Sequence, residues 1–219
     1  MNLKSSQSSY SSEETLSDAI TRIMDEEQDW LRIMNLEGDK LLSVYLDMKS
    51  PHAYIAVRPT LEVARDYRVK IDFRPYTLSY TSLGLTTSLE DNKRQPPTPE
   101  GDRKARMYYA TGRQYAALQK IPFRTPYRLL DSELANRVFL FAKQQGLEIP
   151  FIMDVFLRGW GSGWRDYEIE SLLALRSSLI KTGADTDGLD EFVAPNGPGQ
   201  QALMTVSYTH LTLPTILLV

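Results

Sequence analysis

Ser50-Pro51-His52-Ala53-Tyr54 holds the side chains best placed for chemistry in this sequence. The run follows Val44-Tyr45-Leu46-Asp47-Met48, which reads as a strand, and opens Ile55 to Tyr67, which reads as a helix. Ser50 suits the N-cap and Pro51 the first helical position, where a missing N–H is harmless. The open N–H groups and positive dipole end of such a helix stabilise an anion. A thiolate is such an anion, and those donors lower its pKa. The chain supplies no thiol of its own. It has no cysteine, hence no disulfide, no thiolate nucleophile and no Cys-ligated metal. Ser50 alone is a poor nucleophile, and no His–Asp pair stands at a readable spacing to activate it. Thiol chemistry at Ser50 therefore needs a thiol cofactor. His52 and His210 are the only histidines, which argues against a His-rich metal site.

Four further side chains are weaker candidates for a substrate pocket. His52 sits at the helix start, facing solvent or a cleft, and Tyr54 follows one half-turn later. Trp160 and Trp164 flank Gly159-x-Gly161-x-Gly163 and could line an aromatic pocket, although such residues are more often core. The glycine run is not a nucleotide loop, because it follows a helix and not a strand; it reads as a flexible connector. Residues 93–128 hold nine bases against two acids, an excess suited to an acidic ligand.

The elements that must position these residues follow from the patterning. Leu42 to Met48 and Val69 to Phe73 read as strands around the helix Pro51 to Tyr67. The unit is βαβ with parallel strands. Residues 77–102 read as a long loop, with Pro96, Pro97 and Pro99 excluding regular structure. Helices are expected over Arg103 to Lys120, Ser132 to Gln145, Ile149 to Leu157, and Tyr167 to Thr182 capped by Asp166, with a last turn over Leu189 to Val193. Ahead of all this, Leu16, Ala19, Ile20, Ile23, Met24, Trp30, Leu31 and Met34 form one apolar face of a helix over Glu13 to Leu36. The first 40 residues carry nine acids against four bases. The preferred reading packs this helix on the domain's own surface, ahead of a dimerisation or partner helix. Residues 1–12 are polar and expected to be disordered.

Composition sets the outer bounds. With 219 residues, 42% hydrophobic and 24% charged, the chain can build one sizeable core with an inserted subdomain. A net charge of −3 gives no support to nucleic-acid binding. No apolar run approaches the length of a membrane span, and the start lacks the pattern of a secretory signal, so a cytoplasmic location is the default.

The order of these parts resembles the DsbA-like branch of the thioredoxin superfamily that contains 2-hydroxychromene-2-carboxylate isomerase and kappa-class glutathione transferase. The likeness covers roughly residues 42–194 and is carried by five segments. These are Asp47-x-x-Ser50-Pro51-x-x-Tyr54, Phe73-Arg74-Pro75, Pro96-Pro97, Arg103-Lys104-Ala105-Arg106-Met107-Tyr108 and Ile121-Pro122-Phe123. With cysteine at positions 50 and 53, the site would read Cys-Pro-His-Cys, the redox motif of the family's oxidoreductases. The resemblance implies an α/β fold: a thioredoxin-like βαβ, a large all-helical insert and a closing ββα that is incomplete or degenerate here. The corresponding segments are an N-terminal extension 1–40, the βαβ unit 41–80, the insert 81–195 and a tail 196–219. It implies glutathione as cofactor, with its sulfur at Ser50 beside Pro51, Lys104 in contact with it, and Asn92 and Pro214 as further contacts, Pro214 in the place of a cis-proline. The activity implied is a glutathione-dependent isomerase or transferase acting on a small electrophilic or aromatic acid, with a homodimer left open and no dithiol–disulfide exchange. The alternatives are a redox-inactive, DsbA-like binding module and a truncated product without activity. Val206 to Thr215 also resembles translated sequencing adapter, so the native C-terminus is expected to be missing.

Overall fold

The computed structural model describes residues 40–80, 89–90, 93–94 and 98–212. The helix expected over Glu13 to Leu36, and the site candidates Asn92 and Pro214, lie outside the described residues.

Strand β1 (Leu41–Leu46) and strand β2 (Lys70–Pro75) pair in parallel, Leu41 opposite Lys70 and Leu46 opposite Pro75, across helix α1 (Pro51–Tyr67). This is the expected βαβ unit. Its apolar side chains Leu46, Phe73, Tyr54, Ile55, Val57 and Leu61 are buried together. A short antiparallel pair, β3 (Leu89–Glu90) and β4 (Lys93–Arg94), stands in the connection that follows.

Helix α2 spans Pro99–Leu118, longer than the sequence suggests. Pro99 was expected to exclude structure, but it occupies the helix's first turn, where its missing N–H is harmless, and Thr98 caps it by accepting from Gly101 N at 3.1 Å. Four more helices complete the insert and its exit: α3 (Glu133–Gln144), α4 (Glu148–Ser162), α5 (Leu172–Lys181) and α6 (Leu189–Val193). A further helix, α7 (Pro198–Thr212), stands where the sequence suggested only a tail. It packs against α3, α6 and β2.

Two boundaries differ from the sequence reading for definable reasons. The glycine run is not a connector, because α4 continues through Gly159 and Gly161 to Ser162, with Gly163 closing it in the left-handed region at φ 79°. A β-carbon on Gly159 would stand 2.3 Å from the Trp164 ring, so the glycine makes room for that indole to fold back onto α4. Helix α5 starts at Leu172 and not at Tyr167, capped by Ser171, whose hydroxyl accepts from Ala174 N at 3.4 Å. Tyr167 is instead buried, with its hydroxyl 2.7 Å from Ser178.

Helix α1 runs through Pro59, which has no N–H to give to the Ile55 carbonyl. Gln119 makes up the loss: its Nε2 donates to Ile55 O at 2.8 Å. This side chain ties the end of α2 to the middle of α1.

Candidate functional site

At the start of α1 the local chemistry is that expected. Ser50 is the N-cap, with extended backbone (φ −85°, ψ 123°), and its Oγ accepts from Ala53 N at 3.3 Å. Pro51 has no N–H, Ala53 N–H is taken by Ser50 Oγ, and Tyr54 N–H bonds Ser50 O at 3.3 Å. Among the described residues, that leaves two donors at the helix end: the Ser50 hydroxyl proton and the His52 backbone N–H. Both sit in the positive end of the helix dipole.

A buried carboxylate fixes this end of the helix. Asp47, 1% exposed at the end of β1, accepts from Lys49 N at 3.2 Å, from Leu78 N at 2.6 Å and from the Ser132 hydroxyl. Lys49 Nζ stands 3.5 Å from the same carboxylate and 4.5 Å from the centre of the Tyr80 ring. Asn136, fully buried on α3, donates to Tyr76 O and Thr77 Oγ1 and accepts from Met48 N at 3.4 Å. The Asp47 carbonyl accepts from Ser50 N at 2.9 Å. The strand-to-helix turn, the segment after β2 and the start of α3 therefore share one polar junction. None of these partners was foreseen, because they lie up to 89 residues apart in sequence.

Helix α2 forms the wall beside Ser50. Gly112 lies where a β-carbon would come within 3.0 Å of Phe123 and 3.5 Å of Pro51. One turn earlier, Tyr108 meets His52 edge to face at 5.6 Å. Two turns later, Gln119 meets Ile55. Lys104 shares a face with Tyr108 and Gly112. It lies about 12 Å from Gly112 along the axis. There it pairs with Glu100 at 2.8 Å, which raises the lysine's pKa and lowers the glutamate's.

The other candidates separate into two groups. His52 is half-buried, and burial holds its pKa below the ordinary value, which favours the neutral ring. Tyr54, Trp160 and Trp164 belong to the core. Tyr54 is 4% exposed and its hydroxyl donates to Pro122 O at 2.7 Å. Trp160 stacks on Phe123 at 5.5 Å and meets Trp164 edge-on at 5.5 Å, both indoles being fully buried. They support the wall of the site and offer no face to a substrate. Tyr80 and Tyr109, which the sequence reading passed over, are half-buried near Lys49 and α2, and burial raises both phenol pKa values.

The family model of the DSBA-like thioredoxin domain matches residues 41–202. The chain belongs to this family. A curated 2-hydroxychromene-2-carboxylate isomerase from Sphingobium xenophagum is 26% identical over 162 residues, which are 74% of this chain and 78% of the relative. Among solved structures, a 2-hydroxychromene-2-carboxylate isomerase superposes with a TM-score of 0.60 at 18% identity, covering 78% of this chain and 79% of its own. A probable DsbA oxidoreductase from Streptomyces coelicolor superposes at 0.57 with 14% identity, covering 80% of this chain and 76% of its own. The expected DSBA-like fold, mixed α/β and mostly helical, is thereby borne out. As a DSBA-like domain without cysteine, the chain carries a serine at the helix start where the expected redox motif has its first thiol. Among the described residues no cluster of His, Asp and Glu could hold a metal, and no helix is long and apolar enough to cross a membrane.

Proposed function

We propose that this chain is a glutathione-dependent isomerase or transferase of the DSBA-like class, with the cofactor's sulfur held at Ser50. One observation carries the reading: among the described residues, two hydrogen-bond donors remain open at the start of α1, beside the wall formed by α2. Glutathione would supply the nucleophilic thiol that a cysteine-free chain lacks. The Ser50 hydroxyl and His52 N–H are the groups that hold a sulfur in its anionic form, and the dipole of α1 adds to them. Lys104 is the cation for a glutathione carboxylate, about 12 Å along α2 from Gly112, and an extended tripeptide spans about 10 Å. The relative's isomerase activity favours isomerisation over transfer as the reaction.

Calorimetric titration with glutathione, followed by ultraviolet absorbance of the bound thiolate, tests the reading. Wild-type protein is expected to bind and to lower the thiol's pKa. Ser50→Ala is expected to lose the thiolate signal and about 1 kcal/mol of stability with the cap. Binding and thiolate absorbance that are unchanged in Ser50→Ala would sink the assignment. Insulin reduction should stay at the protein-free rate, since no cysteine can form the mixed disulfide.

A further inference from the structure

Tyr54, Trp160 and Trp164 are sealed in the core, so recognition of a substrate falls to other side chains. Three elements bring a pair of phenols to the turn that carries Ser50. Tyr109 precedes Gly112 by three residues and so shares the face of α2 that meets Pro51. Its ring packs against Trp160, 6.3 Å between centres. Tyr80, from the segment after β2, has the Lys49 ammonium 4.5 Å from the centre of its ring, and Lys49 is the residue before Ser50. The two phenols are close enough to interact electrostatically, and the Leu130 backbone hydrogen-bonds the Tyr80 oxygen.

Among the described residues, neither phenolic proton is donated within the fold. Tyr109 makes no hydrogen bond there, although it is half-buried, and its hydroxyl is not sealed from solvent. A phenol inside a protein ordinarily finds a partner. Tyr54, Tyr127 and Tyr167 do, on Pro122, Glu168 and Ser178. The Tyr80 oxygen accepts from the Leu130 N–H, which leaves its own proton to give. Burial keeps both phenols protonated. They are neutral donors attached to apolar ring faces, which suits an oxygen acceptor on a flat, apolar body.

We infer that Tyr109 and Tyr80 form the subsite that holds the carboxylate of an aromatic or unsaturated acid beside Ser50. The inference deepens the proposed function and rests on that reading for its chemical role, while its binding rests on separate residues. Two uncharged donors accept a carboxylate without repelling it, and the rings flank its planar part. Lys49, whose charge Asp47 balances, supports the Tyr80 ring. The excess of bases over residues 93–128, nine against two acids, favours an anionic ligand next to α2.

Titration calorimetry with trans-cinnamate, a flat unsaturated acid, tests the subsite. The wild-type chain is expected to bind it with a tyrosine ultraviolet difference spectrum. Tyr109→Phe removes one oxygen and keeps the ring on Trp160. It is expected to weaken cinnamate about tenfold, with glutathione binding and melting temperature unchanged. Tyr80→Phe is expected to weaken it by less. Tyr115→Phe, an exposed phenol on another face of α2, is the control and should change nothing. Cinnamate that fails to bind the wild type, unchanged affinity in Tyr109→Phe, or an equal loss in Tyr115→Phe would overturn the subsite. So would a loss matched by a fall in melting temperature, which would make the phenol a structural group. Glutathione titrated alone separates the subsite from the reading of Ser50. If glutathione binds and Tyr109→Phe leaves cinnamate untouched, only the subsite falls. If cinnamate binds through Tyr109 and glutathione does not bind, only the reading of Ser50 falls.

Discussion

Of the 15 residues of α4, eleven are buried; of the six residues of β1, only Leu46 is. Helix α4 packs against α1, α3 and α5, while β1 has a strand on one edge and an open groove on its α1 side. Both elements are apolar in sequence, so composition does not separate them. The neighbours each one meets do. Helix α1 belongs to both regions: Tyr54 packs on Phe156 of α4 at 5.8 Å, while Ala56, Pro59 and Val63 look into the groove. Ser50 is thus held from the closed side, while His52, next to it in the site, also borders the open groove.

The contrast is broken most directly by truncating each region in turn. Phe156→Ala is expected to cost about 3–5 kcal/mol in urea unfolding. Leu42→Ala, at the exposed edge, should cost about 1 kcal/mol or less. Equal losses would mean that the two regions are not built differently. The polar junction gives an effect nearly as large. Asp47→Ala leaves Lys49, 7% exposed, without its anion, and should cost about 3–5 kcal/mol, with Asp47→Asn milder because its amide keeps some of the bonds. A loss below about 1 kcal/mol for the alanine variant would show that the junction is incidental.

Gly159→Ala sharpens the comparison at one carbon. The new methyl meets the Trp164 ring, so a loss of about 1–3 kcal/mol and a shift in tryptophan fluorescence are expected. Unaltered emission would mean that α4 tolerates a looser fit than its burial suggests. The smallest effect belongs to His52. Its pKa in the folded chain lies below the unfolded value, so the unfolded state takes up the proton first as the pH falls. Stability should be level above the ordinary histidine pKa and decline below it, and His52→Gln should flatten that decline. A decline that persists in the variant would assign it to another group.

The βαβ unit was legible because its signals are local: alternation in the strands, and Ser50-Pro51 at the helix start. The full length of α4 was not, because glycine reads as a break unless Trp164 is known to need the space. Nor was the start of α2, where Pro99 carries opposite meanings inside a loop and in a first helical turn. At the site, the cap was visible in the sequence and its support was not. Ser132 and Asn136 are ordinary polar residues until folding brings them to Asp47.

Gly112 works as a spacer of zero thickness. A β-carbon there would meet the Phe123 ring at 3.0 Å and stand 3.5 Å from Pro51. Any larger side chain must therefore push the Phe123 ring or the start of α1 aside, so the position of the wall beside Ser50 is set by a residue that contributes no atom to the cleft.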